Sequence, residues 1–320
     1  MKKLLSIMLA LMMIISGGAF AEAGEPVRVA ALMGPTGMGL VKLMKDAEGT
    51  GEYEFTLAGA ADMIVPKLMK GEIDMACVPA NLASILYKNT NQQVQVLAVN
   101  TLGVIYIVER GDTIHSIEDL KGRTVYASGK GSTPEYALNY LLDMHGIDVA
   151  KDLTVEYMSE HAECLTALVN NENAVAMLPQ PFVTVAQTKL NDIRIALDFS
   201  GEWDALQTDS ETPSGMITGV VVARNDFVNN NPEKVDKFLA DYAASVQFVN
   251  ENVEEAAKLV GEYEIVAEAV AVKAIPYCNI VCITGEEMHS KLSGYLTVLH
   301  EQNPEAVGGN VPGEDFYYVK

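Results

Sequence analysis

The chain has 320 residues, with 22 Lys and Arg against 43 Asp and Glu, a formal charge of −21, and 49% apolar residues. That length suits two lobes better than one core, and a surface so negative repels nucleic acid and anionic lipid, which argues against both as partners. The same field gathers no anion from a distance, so any anion specificity has to be built locally.

Residues 1–23 have the layout of a cleaved secretory signal. Lys2 and Lys3 precede an apolar run from Leu4 to Ile15, followed by Ser16-Gly17-Gly18 and then by small residues at Ala19-Phe20-Ala21 and Ala21-Glu22-Ala23. The run is about a dozen residues, against roughly 20 for a spanning helix. No cysteine stands near the cleavage region, so a lipoprotein is not expected. The mature chain is expected outside the cytoplasm, where ATP and nicotinamide cofactors are scarce, and no cofactor is expected.

Short β-branched runs alternate with helical patterns, which predicts an α/β chain of mostly parallel sheets flanked by helices. The predicted strands are Val27–Met33, Glu54–Gly59, Asp74–Pro79, Val94–Asn100, Val104–Arg110, Thr124–Ser128, Leu153–Met158, Ala174–Leu178, Ile193–Phe199 and Gly219–Ala223. Helix starts are marked by Ser116-Ile117-Glu118-Asp119, by Thr133-Pro134, by Asn231-Pro232 before an amphipathic helix over Glu233–Asn250, and by a Thr284-Gly285-Glu286-Glu287 capping box. Two strand-like runs, Val104–Arg110 and Gly219–Ala223, bracket a segment with its own strands and helices. An inserted second lobe follows: lobe one over 26–107 plus 218–320, lobe two over 108–217, with the two crossing strands as hinge.

Four strand-to-helix turns carry the candidate site, because ligands of open α/β sheets bind beyond the strands' carboxyl ends. Gly34, Thr36, Gly37 and Met38 belong to a turn with three glycines that lets backbone approach a ligand; it lacks the Lys-Ser/Thr of a phosphate loop. Asp62 is read as an N-cap in Gly59-Ala60-Ala61-Asp62. Pro79 and Asn81 suit a cleft wall. Ser128, Gly131, Ser132 and Thr133 combine hydroxyls, glycines and a helix start, with Lys130 among them. Asn100, Thr101 and Gln180 are weaker candidates, and Trp203, the only tryptophan, is read as a packed or rim residue.

Cys77 reads as a buried strand residue and Cys164 as helical, while Cys278 and Cys282, four apart, are a possible disulfide pair in an oxidising compartment. The five histidines show no metal-ligand spacing, and no catalytic triad or nucleophile elbow is visible. Hydroxyls, amides and glycines hold a molecule without transforming it, so binding is the better reading.

The chain resembles the extracytoplasmic solute-binding proteins of ABC importers, nearest the NMT1/THI5-like and sulfonate/taurine branch. The residues that carry this are Ala61-Asp62 with Lys67–Ala76, Ser116–Val125, Gly131-Ser132, and Gly219–Phe227 through Asn231-Pro232. The resemblance implies a two-lobed type II periplasmic-binding fold, hinge closure on a small solute, and delivery to a transmembrane permease. Relatives often carry an acid before the second proline of Pro179-Gln180-Pro181-Phe182, so Gln180 points to a neutral partner there. The His- and Cys-rich region of the pyrimidine synthases of this superfamily is missing. An enzyme on the same fold and a TRAP-type receptor are the alternatives. For the ligand, a sulfonate-like oxyanion and a pyrimidine-like heteroaromatic both stay open.

Overall fold

The computed structural model describes residues 25–207 and 214–319; the predicted signal peptide lies outside them. All ten predicted strands form, within two residues at each end: β1 (Val27–Leu32), β2 (Tyr53–Ala58), β3 (Met75–Pro79), β4 (Val94–Leu102), β5 (Ile105–Arg110), β6 (Thr124–Ser128), β7 (Thr154–Met158), β8 (Val175–Pro179), β9 (Ile193–Asp198) and β10 (Ile217–Arg224). An eleventh, β11 (Ile280–Ile283), was not foreseen. The helices are α1 (Pro35–Met38), α2 (Val41–Ala47), α3 (Val65–Lys70), α4 (Ala80–Asn89), α5 (Thr133–Met144), α6 (His161–Asn170), α7 (Phe182–Lys189), α8 (Phe199–Leu206), α9 (Asn225–Asn230), α10 (Pro232–Glu251), α11 (Val253–Glu262), α12 (Glu268–Ala274) and α13 (Gly285–Gln302). Among the described residues, no helix is long and apolar enough to cross a membrane.

The strands form two sheets, ordered β11-β4-β10-β3-β1-β2 and β7-β6-β8-β5-β9. Both are mixed rather than mostly parallel. β1 runs parallel to β2 and β3, and β6 parallel to β7 and β8, as βαβ units require. The strands at the crossings run against their neighbours: β10 is antiparallel to β3 and β4, and β5 to β8 and β9. The chain leaves the first sheet after β4, builds the second with β5–β9, and returns in β10. A strand that arrives from the other sheet enters from the end its neighbours leave, which sets the opposite direction.

The central strands are buried on both faces, and their side chains alternate between two cores. In β1, Val27, Val29 and Ala31 face a core built with Leu40, Phe238, Tyr242 and Val260. Ala30 faces the opposite core, with Leu86, Leu292 and Leu299. A third core, with Val108, Cys164, Leu165 and Ala176, packs on one face of the second sheet. The lone tryptophan is packed, as read: Trp203 is fully buried, its Nε1 donates to Ser214 Oγ at 2.9 Å, and its ring lies 4.2 Å from Tyr140 on α5 and 5.6 Å from Tyr295 on α13.

Several local expectations are corrected. Ser116 and Asp119 do form their capping pair, the Ser116 N–H donating to the carboxylate at 3.0 Å, over a single 3-10 turn at Ile117–Leu120. The other three predicted helix starts form without side-chain caps. Thr284 precedes α13 with no capping bond, and Asn231 turns its amide back onto the Phe227 carbonyl. Ser132, not Thr133, is the cap position of α5, and its hydroxyl donates backward to Gly129. Asp62 sits within a 3-10 turn whose cap position is Ala60, so it is no N-cap. The four cysteines are free; Cys278 and Cys282 form no disulfide. Cys278 is buried beside Met38, their sulfurs 4.0 Å apart, while Cys282 lies on β11.

Candidate functional site

A cleft of about 650 Å³ opens where the two sheets present their strand-to-helix turns to one another. From the first sheet come Pro79, Asn81 and Leu82, at the turn from β3 into α4, and Thr218 on β10. The second sheet supplies Ser128, Gly129, Ser132, Thr133 and Pro134 between β6 and α5, Ser159, Glu160, His161 and Ala162 between β7 and α6, and Phe182 at the start of α7. Each turn follows a strand and opens a helix; Ser128 ends β6, Pro79 ends β3, and Ser159 follows the last residue of β7. The first N–H groups of α4, α5 and α6 have no partner within their own helices, and their dipoles place partial positive charge at this cleft.

The β6–α5 turn shows how sequence builds this wall. Gly129 has φ +80°, and a β-carbon there would lie 2.9 Å from Pro134 and from Ser132 Oγ. Only glycine lets the chain turn back so tightly. The Ser132 hydroxyl closes the turn on the Gly129 carbonyl at 2.6 Å, and the Gly131 N–H donates to Glu135 at 2.6 Å. Lys130 leans away, its ammonium 5.8 Å from the centre of the Tyr157 ring.

On the neighbouring turn, Ser128 Oγ and His161 Nδ1 are in hydrogen-bond contact, and the imidazole packs against Phe182 with ring centres 4.9 Å apart. Burial holds the His161 imidazole below its ordinary value, with the Glu160 charge pulling the other way. Glu160 is the only carboxylate of the lining, and no Lys or Arg lines the cleft among the described residues. No group of three or more His, Cys, Asp or Glu suited to a metal occurs among the described residues.

Five of the residues singled out from sequence meet in this cleft: Pro79, Asn81, Ser128, Ser132 and Thr133. The others do not line it. Gly34, Thr36, Gly37 and Met38 coil into and around the short helix α1; the Thr36 hydroxyl donates to the Leu32 carbonyl at 3.0 Å, and Met38 is fully buried in the core. Asn100 and Thr101 are fully buried on β4, with polar side-chain atoms that have no protein partner. Gln180 is buried too, its Oε1 accepting from the Thr184 N–H and hydroxyl at 3.3 and 2.9 Å. Gly131 is exposed at the outside of its turn. Sequence reasoning missed Ser159, Glu160, His161 and Ala162, whose turn has no glycine or proline to mark it. It also missed Leu82 and Thr218, whereas Pro134 and Phe182 fall within loops that the sequence had marked, the second as a weaker candidate. The position of Ser159-Glu160-His161 directly after a predicted strand was the one usable signal.

Comparison with known proteins places this architecture. The family model described as "ABC transporter, phosphonate, periplasmic substrate-binding protein" matches residues 43–272. Among solved structures, a protein of an ABC transporter from Parabacteroides distasonis is similar over 92% of this chain and 99% of its own, with 22% identity and a TM-score of 0.78. The periplasmic aliphatic sulphonate binding protein SsuA from Escherichia coli is similar over 92% of both chains, at 17% identity and a TM-score of 0.71. A sulfonate-binding SsuA from Methylobacillus flagellatus aligns over 88% of this chain and 86% of its own, at 20% identity and a TM-score of 0.63. No curated protein matches. At these identities the structures establish the fold, two mixed sheets in a two-lobed periplasmic-binding arrangement. The family match covers well over half of the chain, and this protein belongs to the phosphonate-type periplasmic substrate-binding proteins, the extracytoplasmic solute receptors of ABC importers.

Proposed function

We propose that this receptor binds a small organic oxyanion, a phosphonate or sulfonate, in the cleft between lobe one (26–107 plus 218–320) and lobe two (108–217), and hands it to its permease without chemical change. Residues 1–23 are then the signal that is removed on export. The observation that carries the reading is the convergence of three helix starts, α4, α5 and α6, on one cleft lined by Ser128, Ser132, Thr133 and Ser159. Helix N-termini and hydroxyls bind anions without a fixed cation, and this lining has none. Ser128 and His161 are in contact, and the His161 ring packs tilted against Phe182.

Phe182 and His161 also offer ring faces, which favours a ring-bearing ligand as the second reading. A thermal-shift screen of the chain without residues 1–23 separates the two. Alkylphosphonates or alkylsulfonates are expected to raise the melting temperature saturably, by about 2.7 kcal/mol of added stability at 100 times the dissociation constant. Stabilisation by pyrimidines alone, with none from any oxyanion, would overturn the oxyanion reading.

A further inference from the structure

We infer that His161 supplies the positive charge with which this cleft meets an anion: when an anion binds, the imidazole takes up one proton from solvent and reverses its hydrogen bond with Ser128. This rests on the oxyanion reading above.

The geometry supplies the means. In the neutral ring that carries its proton on Nε2, the tautomer on which the inference rests, Nδ1 accepts from the Ser128 hydroxyl, so that the serine proton points at histidine. A proton on Nδ1 turns that nitrogen into a donor to Ser128 Oγ. The Ser128 O–H then rotates free to donate to the ligand. One proton thus adds a positive charge and a hydroxyl donor to a wall that otherwise holds neither Lys nor Arg.

The surroundings set the direction. On α6, Glu160 stands beside His161 and Cys164 lies one turn further on, its thiol beside the Glu160 carbonyl at 3.8 Å. On the strand β6 the facing group is Ser128, and on α7 it is the uncharged Phe182. Across the cleft stand Pro79, Asn81 and Thr218, none of them charged. Glu163 is occupied by the Ser159 N–H at 2.9 Å, Glu135 accepts from the Gly131 N–H, and Lys130 stands over the Tyr157 ring; none of the three lines the cleft. Burial therefore favours the neutral ring, and a bound anion is the strongest new charge the ring meets.

The sign follows from linkage. A group whose pKa rises on binding strengthens binding below its free value, and affinity falls as pH rises through the bound value. The loss is at most tenfold per pH unit, for one proton.

Ethanesulfonate isolates the effect, since it keeps one charge across the working range. Its binding is followed calorimetrically between pH 5.5 and 8 in buffers of different ionisation heat, while the His161 ring proton is titrated by NMR with and without ligand. Expected are an uptake approaching one proton per site, a dissociation constant rising up to tenfold per pH unit, and a raised His161 titration midpoint in the complex. In His161→Gln the affinity becomes independent of pH. Binding with no proton uptake and an unmoved midpoint overturns the inference while leaving the oxyanion reading intact. Failure of every sulfonate and phosphonate to bind overturns both.

Discussion

Gly219 on β10 and Asn100 on β4 lie so close that a β-carbon on the glycine would stand 2.4 Å from Asn100 Oδ1 and 2.6 Å from the Thr36 methyl. Both neighbours are buried, and the contact sits where the chain returns from the second sheet to the first. Gly219→Ala is therefore expected to cost about 1–3 kcal/mol through overpacking. Urea denaturation checks this; a midpoint equal to that of the parent chain would show that the β4–β10 pair has slack here.

Glu109 is fully buried, accepts from the Thr113 and Ile114 N–H groups at 2.9 and 3.1 Å and from the Thr113 hydroxyl at 2.8 Å, and pairs with Arg194. Burial alone would raise its pKa, but these bonds outweigh it and hold the carboxyl below its ordinary value. An acid depressed on folding adds stability above its unfolded value and loses it as pH falls through the folded one. Glu109→Gln is expected to lower stability at pH 7 by about 2 kcal/mol, less than the 3–5 typical of a fully buried pair because Arg194 is partly exposed. The difference between the variant and the parent should shrink toward pH 3, as read by chemical denaturation. A difference that stays constant with pH would mean that the carboxylate's charge does not contribute.

Burial pushes the thiols of Cys77 and Cys278 up to about 12 and that of Cys282 up to about 11. Thiolate is the reactive form, so the native protein is expected to give almost no fast reaction with a thiol reagent at pH 8. In denaturant all four cysteines should react, with or without prior reduction. Two reactive thiols in unreduced, denatured protein would reveal a disulfide.

Strand positions were legible in the sequence because short apolar runs bounded by glycine, proline and polar clusters carry that signal well. β11 was not: Ile280–Ile283 is four residues long, and its cysteine drew attention to a bridge. Sheet direction was read as mostly parallel because alternation of strands and helices carries no mark of where a crossing strand inverts. Helix caps were over-read, since a Ser, Thr or Asn at the right place is free to bond elsewhere, as Ser132 does to Gly129 and Asn231 to Phe227.

The cleft was half legible. A glycine and hydroxyl turn pointed to Ser128, Ser132 and Thr133, and a small-residue turn to Pro79 and Asn81, whereas Gly37 and Gly39 serve close packing: a β-carbon on either would lie 2.7 Å from the Leu32 carbonyl or the Tyr242 hydroxyl, respectively. His161 and Phe182 were invisible as a pair because their contact crosses from α6 to α7. No local pattern records such a meeting.

The most direct test of the account is a calorimetric titration of the chain without residues 1–23 with methylphosphonate and ethanesulfonate, beside Ser128→Ala and Thr133→Ala. A hydrogen bond to a charged group contributes about 1.5–3 kcal/mol, so one-site, saturable binding that weakens about tenfold or more in each variant is predicted. Affinity unchanged in both variants, or no saturable heat with either anion, would contradict it.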